Sequence, residues 1–350
     1  MPNSARRVRR SRSRTGDPQV DEAIGSLIDL LGVERDQDIF TELFTSVARM
    51  ARDNSDRGDL KIVNGAVREM RASFNTFRPF RADRKASVFG SARTRPDEPA
   101  FQQAVELGRD LAEAGWMVIT GGGPGIMNAA VSGAGRDSSF AVTIRLPFEP
   151  TAASTLVDDD HLVRFRYFFT RKLTFMKESS AYVVFPGGFG TLDETFELLT
   201  LVQTGKETPA PIVLIDPPGE TYWERWMDFI ADELVEAGLV APADLGLVHL
   251  TSSTEEAVAY IDGFYRTFHS SRYVDGRLVL RLTHDIDDAA LATINDEFAD
   301  IVAGGTIERC RAARAEVDDE DVVDLPRLVF TFDQHHFARL HQLVRRLADF

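Results

Sequence analysis

Residues 182–194 read Tyr-Val-Val-Phe-Pro-Gly-Gly-Phe-Gly-Thr-Leu-Asp-Glu, and the predicted fold is built outward from this stretch. Its apolar run, residues 183–185, is typical of a buried parallel strand, and apolar residues from 192 to 202 recur at helical spacing. The pattern therefore predicts a strand, a tight loop and a helix. Glycines let backbone N–H groups turn toward an anion, and the positive end of the helix dipole favours negative charge. The loop, residues 187–191, is called the first glycine loop below, and phosphate is the ligand that it predicts.

Glu194 lies one turn into the predicted helix, close to whatever the first glycine loop holds. A side chain that only bound phosphate would be expected to carry a positive charge. A carboxylate at this position therefore indicates a role in catalysis and not only charge complementarity to a ligand. The simpler alternative is an ordinary strand-to-helix turn with an acid that suits a helix N-terminus. The complete string Pro-Gly-Gly-x-Gly-Thr-x-x-Glu, from Pro186 to Glu194, is far more specific than a lone glycine loop and favours the chemical interpretation.

Length and composition predict a globular protein of enzyme size. The chain has 350 residues, of which 43% are hydrophobic and 27% charged, enough for one substantial core and a smaller appendage. Its apolar stretches are strand-sized, far short of the roughly 20 residues of a spanning helix. The single cysteine, Cys310, excludes an intramolecular disulfide framework, and no signal-peptide pattern is present. We therefore expect a cytoplasmic protein without membrane contact.

The formal net charge of −15 argues against nucleic-acid binding by the folded body, because duplex binding needs clustered basic residues. The exception is a Ser-rich basic segment, residues 1–20, which is predicted to be a disordered arm. Two interpretations of this arm stay open. It contacts a nucleic acid or an acidic partner, or it is a solvated tail without a dedicated partner, and the second interpretation is preferred. Its arginines are Arg6, Arg7, Arg9, Arg10, Arg12 and Arg14.

Residues 21–84 show helical periodicity, with apolar stripes that indicate packing and no chemistry. Residues 85–270 then alternate strand and helix patterns, which predicts an α/β fold with a doubly wound, mostly parallel sheet. The expected architecture is this core domain with an N-terminal helical cap. A second loop between strand and helix, Thr-Gly-Gly-Gly-Pro-Gly at residues 120–125, should lie at the same sheet edge. Residues 121–125 are called the second glycine loop below.

A dinucleotide-binding site of the NAD type is rejected, although the predicted architecture is similar. Pro124 interrupts the glycine fingerprint, and no acidic residue ends the following strand.

The last part of the chain, residues 271–350, predicts a small α+β appendage. Residues 277–282 and 327–332 have strand patterns, residues 287–302 and 334–348 have helical ones, and an acidic run lies at 316–324. A metal site is not favoured here, because no cysteine or second acidic ligand accompanies the candidate ligands. Those candidates are Asp333, His335, His336 and His341.

The string from Pro186 to Glu194 resembles the signature of the LOG family, the cytokinin riboside 5′-monophosphate phosphoribohydrolases, formerly described as lysine decarboxylase-like. The pair Arg171-Lys172 matches the Arg-Lys pair that precedes the glycine motif in that family, and the resemblance covers residues 85–268. It implies a modified Rossmann fold, hydrolysis of a nucleoside 5′-monophosphate to free base and ribose 5-phosphate without metal or organic cofactor, and a homodimer or higher homo-oligomer. Residues 164–169 look like the longer bacterial members.

The resemblance also implies the roles of individual residues. Glu194 would stabilise an oxocarbenium-like ribosyl centre, or orient or deprotonate the attacking water, while Arg171 would contact ribose or departing base and hold Glu194 ionised. Without the glycine motif, Arg171 would instead be interpreted as a surface salt-bridge residue. The expected substrate-binding residues are Ser91, Arg93, Gly121, Gly122, Gly123, Gly125, Met127, Lys172, Gly187, Gly188, Gly190 and Thr191.

Two function classes stay open from the sequence. The first is the hydrolysis of a purine nucleoside 5′-monophosphate, with prenylated adenine, plain adenine and other purines all consistent with the residues. The second is a non-catalytic nucleotide sensor or cofactor carrier of related fold, which has no need of Glu194 beside a phosphate loop. A pyridoxal-phosphate decarboxylase is disfavoured because no lysine has the context of a Schiff-base site.

Overall fold

The structure is a computed structural model that describes residues 13–145 and 160–350. The chain divides into two compact units, with the boundary between Arg68 and Glu69. The first twelve residues of the predicted basic arm lie outside the described residues.

The first unit is helical. It contains α1 (Pro18–Leu30), α2 (Gln37–Arg52) and the first turns of α3 (Arg57–Phe77). The arm was expected to extend to residue 20, but α1 already begins at Pro18, with the Asp17 carboxylate accepting the Gln19 N–H at 3.0 Å. A proline in the first turn and an aspartate at the N-cap are the usual signals for a helix start.

The second unit begins with the last turns of α3 and contains a parallel sheet of seven strands within the described residues. The strands are β1 (Lys85–Phe89), β2 (Met117–Thr120), β3 (Ser139–Ile144), β4 (Leu162–Phe165), β5 (Ala181–Val184), β6 (Ile212–Ile215) and β7 (Val248–Thr251). The helices that follow them are α4 (Pro99–Glu113), α5 (Ile126–Ala134), α6 (Phe168–Glu178), α7 (Phe189–Gln203), α8 (Tyr222–Phe229) and α9 (Thr254–Phe264). The predicted doubly wound α/β fold is confirmed.

The strands lie in the order β4-β3-β2-β1-β5-β6-β7. From β1 the chain adds strands on one side as far as β4, and it then returns to add β5, β6 and β7 on the other side, so the order of addition reverses between β1 and β5. The two strands pair in parallel, with Phe89 opposite Val184 at their carboxyl ends. Open α/β sheets bind ligands outside the carboxyl ends of the strands at such a reversal, because the loops diverge there and leave a crevice. The first glycine loop follows β5 at this place.

Both faces of the sheet are covered, which explains the continuous apolar strands. Along β5, Tyr182 and Val184 pack into the core under α6, α7 and α8, whereas Val183 packs into the core under α4, α5 and α9. Each strand residue therefore has a helix above or below it, and the sheet edge holds the loops in fixed positions.

A second, antiparallel sheet completes the second unit, in the order β10-β11-β9-β8. Helices α10 and α12 cover one face of it, and a segment containing the short helix α11 covers the other. The elements are β8 (Phe268–Val274), β9 (Arg277–Leu282), α10 (Asp288–Glu297), β10 (Val302–Cys310), α11 (Arg314–Asp318), β11 (Arg327–Phe332) and α12 (Phe337–Leu347). Since this sheet shares one compact unit with the parallel sheet, the expected α+β appendage is packed on the core.

Two strands of the second sheet, β8 and β10, were not predicted. Both lie at its edges, where one side makes no strand contact, and they are built largely from polar or small residues such as Ser270, Arg272 and Gly304. An edge strand buries little, so its sequence shows weak alternation. The predicted helix 287–302 is likewise shorter, because it ends at Glu297 and the chain enters β10 at Val302.

Over the described ranges, no helix is long and apolar enough to cross a membrane. The same ranges hold no cluster of three or more histidine, cysteine or acidic side chains arranged for a metal ion. His336 pairs with Asp333, whereas His341 is fully buried against the Ala210 carbonyl, so these two histidines do not share a site.

Candidate active site

Three loops meet at the carboxyl ends of β1, β2 and β5. The Ser91 N–H donates to the Pro186 carbonyl at 3.1 Å, and the Ile126 N–H donates to the Ser91 carbonyl at 3.1 Å. The turn after β1 is therefore bonded on one side to the start of the first glycine loop and on the other to the end of the second. The two glycine loops, whose first residues are 66 positions apart in sequence, are brought to one site.

Close backbone contact explains why the second glycine loop ends in glycine. Gly125 has a φ of +67°, and a Cβ there would lie 2.3 Å from the Ser91 carbonyl oxygen. Gly122, with a φ of +69°, is similarly close to the Thr143 side chain on β3. A residue with a side chain would be strained at both positions and would separate the loop from its neighbours.

The first glycine loop turns directly into α7. Gly188 is the N-cap residue and has no side chain to cap the first amides of the helix. Those amides and the helix dipole are suited to an anion. The Thr191 side chain folds back over Gly187, where a Cβ would lie 2.1 Å from its Oγ1, and the Tyr222 hydroxyl donates to the Gly187 carbonyl at 2.7 Å. Gly188 and Gly190 have open space where a Cβ would be.

Glu194 is buried on the first turns of α7, with 6% of its surface exposed. Its Oε2 atom has no hydrogen-bond partner among the described residues. Burial raises the pKa of the Glu194 carboxyl to about 7, against the opposing effects of Arg171 and Lys172. Buried polar atoms are nearly always paired, so an orphaned carboxylate oxygen beside an anion-binding loop indicates a position that a ligand or water completes.

Arg171 reaches the site from α6 and contacts the second glycine loop. Its Nε donates to the Val142 carbonyl on β3 at 2.9 Å, and a Cβ at Gly121 would lie 2.5 Å from its Nη2. Burial lowers the pKa of this guanidinium, and the charge of Glu194 opposes that effect. In the described part of the chain no salt bridge joins Arg171 to Glu194. The positive charge of Arg171 therefore lowers the pKa of Glu194 through space, while the Oε2 atom of Glu194 stays unpaired.

Lys172, the neighbour of Arg171, is paired with carboxylates of α7. Its Nζ forms ion pairs with Asp193 at 2.9 Å and Glu197 at 2.5 Å, both on α7. These pairs hold α6 against α7. Partial burial acts to lower the pKa of Lys172, but the hydrogen bonds to Glu197 and Asp193 outweigh it, so the pKa is raised overall. The ammonium is thus engaged by protein carboxylates, and its predicted role in substrate binding stays a prediction.

The remaining predicted residues surround these loops. Met127 packs on the second glycine loop, since a Cβ at Gly121 would lie 2.7 Å from its Sδ and a Cβ at Gly123 would lie 2.6 Å from its Cε. The Ser91 Oγ accepts the N–H of Arg93 at 3.1 Å, and the Arg93 side chain is exposed. The structure therefore brings Ser91, Met127, Arg171 and Glu194 together with both glycine loops.

An open cleft of about 440 Å³ lies between the turn after β1 and the first glycine loop. Its volume falls in the range of small-molecule sites. The sequence had not singled out four residues at this site: Thr94, Glu98, Glu220 and Tyr222. They lie in or just after loops that follow β1 and β6, and their only sequence signal is this position at the carboxyl ends of strands. The cleft is lined by Ser91, Thr94, Glu98, Pro99, Ala100, Pro186, Gly187 and Glu220.

Comparison with known protein families finds a match over residues 117–261 to the family described as "Possible lysine decarboxylase". A cytokinin riboside 5′-monophosphate phosphoribohydrolase of Mycobacterium tuberculosis is 30% identical over 163 residues, which are 45% of this chain and 83% of that protein. One from Arabidopsis thaliana is 29% identical over 170 residues, 46% of this chain and 74% of that protein.

Among solved structures, a molybdenum cofactor binding protein from Rippkaea orientalis covers 51% of this chain and 96% of its own, with 22% identity and a TM-score of 0.36. A Moco carrier protein from Chlamydomonas reinhardtii covers the same shares with 24% identity and a TM-score of 0.35.

Proposed function

The chain belongs to the LOG family of cytokinin riboside 5′-monophosphate phosphoribohydrolases, and on this premise we propose that it hydrolyses the N-glycosidic bond of a purine nucleoside 5′-monophosphate. The products would be the free base and ribose 5-phosphate, formed without a metal or an organic cofactor. One observation carries the proposal: a buried Glu194 with an unpaired carboxylate oxygen stands one turn from an uncapped, glycine-built helix N-terminus.

The first glycine loop would hold the 5′-phosphate. Its donors are the backbone amides at the start of α7 and the hydroxyl of Thr191, and the helix dipole adds to their attraction for negative charge. The second glycine loop and Met127 would line the nucleotide pocket. Arg171 adds a buried positive charge, which favours an anionic substrate over a neutral nucleoside.

Glu194 would act at the ribose. As the bond from C1′ to the base nitrogen breaks, its electron pair leaves with the base and positive charge develops at C1′, where a carboxylate stabilises it. A water oxygen then bonds to C1′, and Glu194 takes one proton of that water. The departing base takes a proton from solvent, and Glu194 afterwards releases its proton to solvent, so that one water in total is added across the broken bond. Since the pKa of Glu194 is raised to about 7, it can accept and release a proton near neutral pH.

We also propose a homodimer in the cytoplasm. Helices α6 and α7, which carry Arg171 and Glu194, expose apolar side chains such as Phe169, Leu173 and Phe189, the last with 93% of its surface accessible. Neighbouring exposed apolar groups beside a site are typical of an interface. Light scattering should show a dimer that Leu173→Asp weakens, and a monomeric wild-type protein would contradict this part of the proposal.

The deciding experiment incubates the protein with AMP, isopentenyladenosine 5′-monophosphate, GMP and the matching nucleosides, and measures released base by chromatography. We expect base and ribose 5-phosphate in equal amounts from at least one monophosphate and none from its nucleoside. Glu194→Gln serves as the matched control for contaminating activity. Comparable kcat/KM for a monophosphate and its nucleoside would overturn the phosphate assignment. Tight nucleotide binding without release of base would instead support the non-catalytic carrier.

A further inference from the structure

The N-terminus of α6 is bonded to a carboxylate from a distant part of the chain. Tyr167, the N-cap residue, provides no side-chain cap. Instead Glu69, in the part of α3 that belongs to the second unit, accepts the N–H of Arg166 on Oε1 at 3.0 Å and the N–H of Tyr167 on Oε2 at 3.4 Å. Its Oε2 also accepts the Thr170 hydroxyl at 2.6 Å. Glu69 therefore holds the backbone that leads into α6 and, through the Thr170 hydroxyl, its first turn.

Two more contacts continue the same stripe of α3. Ser73, one turn after Glu69, lies 3.2 Å from the hydroxyl of Thr174, which is one turn after Thr170. Phe77, one further turn along, packs against Phe140 of β3 with ring centroids 4.5 Å apart. Contacts at two successive turns of α6 fix both its position along its axis and its rotation, because residues four apart lie on one helix face.

Arg171 follows Thr170 directly, so its position depends on this fixed rotation. Its guanidinium is held between the Val142 carbonyl and Gly121, where a Cβ would lie only 2.5 Å from Nη2. A shift or rotation of α6 would carry the Arg171 backbone away from β3 and the second glycine loop, and so would weaken the hydrogen bond to Val142 and the close approach to Gly121. Glu69 is half-buried and does not line the cleft described above.

We propose that Glu69 is a positioning residue, which holds α6 in register and thereby sets the Arg171 charge against Glu194. This inference rests on the proposed hydrolysis and deepens it, since it assigns part of the catalytic geometry to a residue outside the glycine signature. Glu69 touches no substrate in this scheme. It acts through Thr170 and the backbone of residues 166 and 167.

The first test compares Glu69→Ala, Glu69→Gln and the control Arg71→Ala, an exposed residue of the same helix. We expect Glu69→Ala to lower kcat about tenfold or more with a smaller change in KM, and Glu69→Gln to recover part of the loss because its amide oxygen still accepts a hydrogen bond. The acidic limb of the rate against pH should move to higher pH in Glu69→Ala, because a displaced Arg171 no longer favours the ionised Glu194. Arg71→Ala should behave as wild type.

A Glu69→Ala protein with unchanged kcat and pH profile would overturn the proposal. Lost activity with an unmoved acidic limb would overturn it as well, because that result indicates only reduced folding.

The second test keeps the inference separate from the proposed function. Amide hydrogen exchange of the segment 166–174 should be at least tenfold faster in Glu69→Ala than in wild type, with no change in Arg71→Ala. Unchanged protection would overturn the positioning role. If the wild-type protein released no base from any nucleotide, the proposed function would fail, and the exchange result would still decide whether Glu69 holds α6.

Discussion

At the scale of single residues, the environment of Glu194 decides what it can do. An exposed glutamate would be ionised throughout the neutral range, but burial on α7 raises the pKa of Glu194 to about 7. The nearby positive charges of Arg171 and Lys172 limit that rise. A carboxylate that is costly to ionise and has an unpaired oxygen gains most from the positive charge that develops at a ribosyl centre.

Replacement of Glu194 by glutamine should separate chemistry from binding. Glu194→Gln keeps the shape but removes the charge, so kcat should fall by about 10²–10⁴, the usual effect of losing a positioned acid or base. Affinity for the monophosphate, measured by calorimetry, should stay within a few fold, because the first glycine loop and Arg171 supply the binding energy. Arg171→Ala should lose both turnover and affinity. A Glu194→Gln enzyme with near-normal kcat would reject the mechanism.

The raised pKa of Glu194 also predicts how stability depends on pH. The unfolded chain releases this proton near pH 4.5 and the folded chain near pH 7, so the folded state loses stability as pH rises between these values. The full penalty above pH 7 is about 3 kcal/mol. Glu194→Gln should therefore be more stable than wild type at pH 8 and show little advantage at pH 4.5. Urea unfolding at the two pH values measures this, and an equal difference at both would contradict it.

The acidic limb of the rate should have its midpoint near pH 7 in the free enzyme for the same reason. The ionised form of Glu194 is the active one in the proposed mechanism, so kcat/KM should rise with pH up to that midpoint. A profile that is flat from pH 5 to 8 would show that ionisation of Glu194 does not limit the reaction.

At the scale of elements, the structure joins helices to the site by unusually close contacts. Helices α4 and α5 touch backbone to backbone: a Cβ at Gly133 would lie 1.9 Å from the Val105 carbonyl oxygen, and one at Gly108 would lie 2.1 Å from that of Ala130. Because α5 begins at the second glycine loop, this contact sets where the loop lies.

Gly133→Ala should therefore destabilise the protein by about 1–3 kcal/mol, the usual cost of overpacking, and raise KM by moving α5. The matched control is Gly263→Ala in α9, where a Cβ would meet nothing within 4 Å. That change should be neutral or should stabilise by up to about 1 kcal/mol, since alanine favours the helix. Denaturant unfolding compares the two, and equal stabilities would contradict the close-contact explanation.

At the scale of the whole molecule, the second sheet is attached to the first by buried contacts of α12. His341 is fully buried, packs beside Phe264 and places its Nε2 3.2 Å from the carbonyl of Ala210, two residues before β6. Burial lowers the pKa of His341 to about 4. The imidazole ring is therefore neutral in the folded protein, and its protonation lowers the stability of the folded state.

Acid should weaken this attachment. The unfolded chain takes up a proton near pH 6.5 and the folded chain only near pH 4, so stability is complete above pH 6.5 and falls as pH drops toward 4, by about 3 kcal/mol for this group. The stability difference between wild type and His341→Gln should shrink by about that amount between pH 8 and pH 4. The exposed His335→Gln is the control and should stay within about 0.5 kcal/mol of wild type at both. A constant difference for His341→Gln would contradict the prediction.

Local sequence patterns by themselves determined the parallel α/β core, the two glycine loops and the expectation that Glu194 acts with the first of them, whereas the expectation for Arg171 came from the family resemblance. Strand and helix periodicity reports which face of a short segment is buried, and a glycine-rich turn between strand and helix reports an anion site within a few residues. Both signals need only neighbours in the chain, which is why they could be interpreted without a structure.

Tertiary structure alone decided the features that depend on distant contacts. The polar edge strands β8 and β10, the engagement of Lys172 by two carboxylates and the pairing of Glu69 with residues about a hundred positions away have no local signature. The raised pKa of Glu194 is of the same kind, because desolvation depends on every element packed around a carboxyl group. The packing of strands and helices brings these groups together, so the chemistry of the site depends on the fold as much as on the motif.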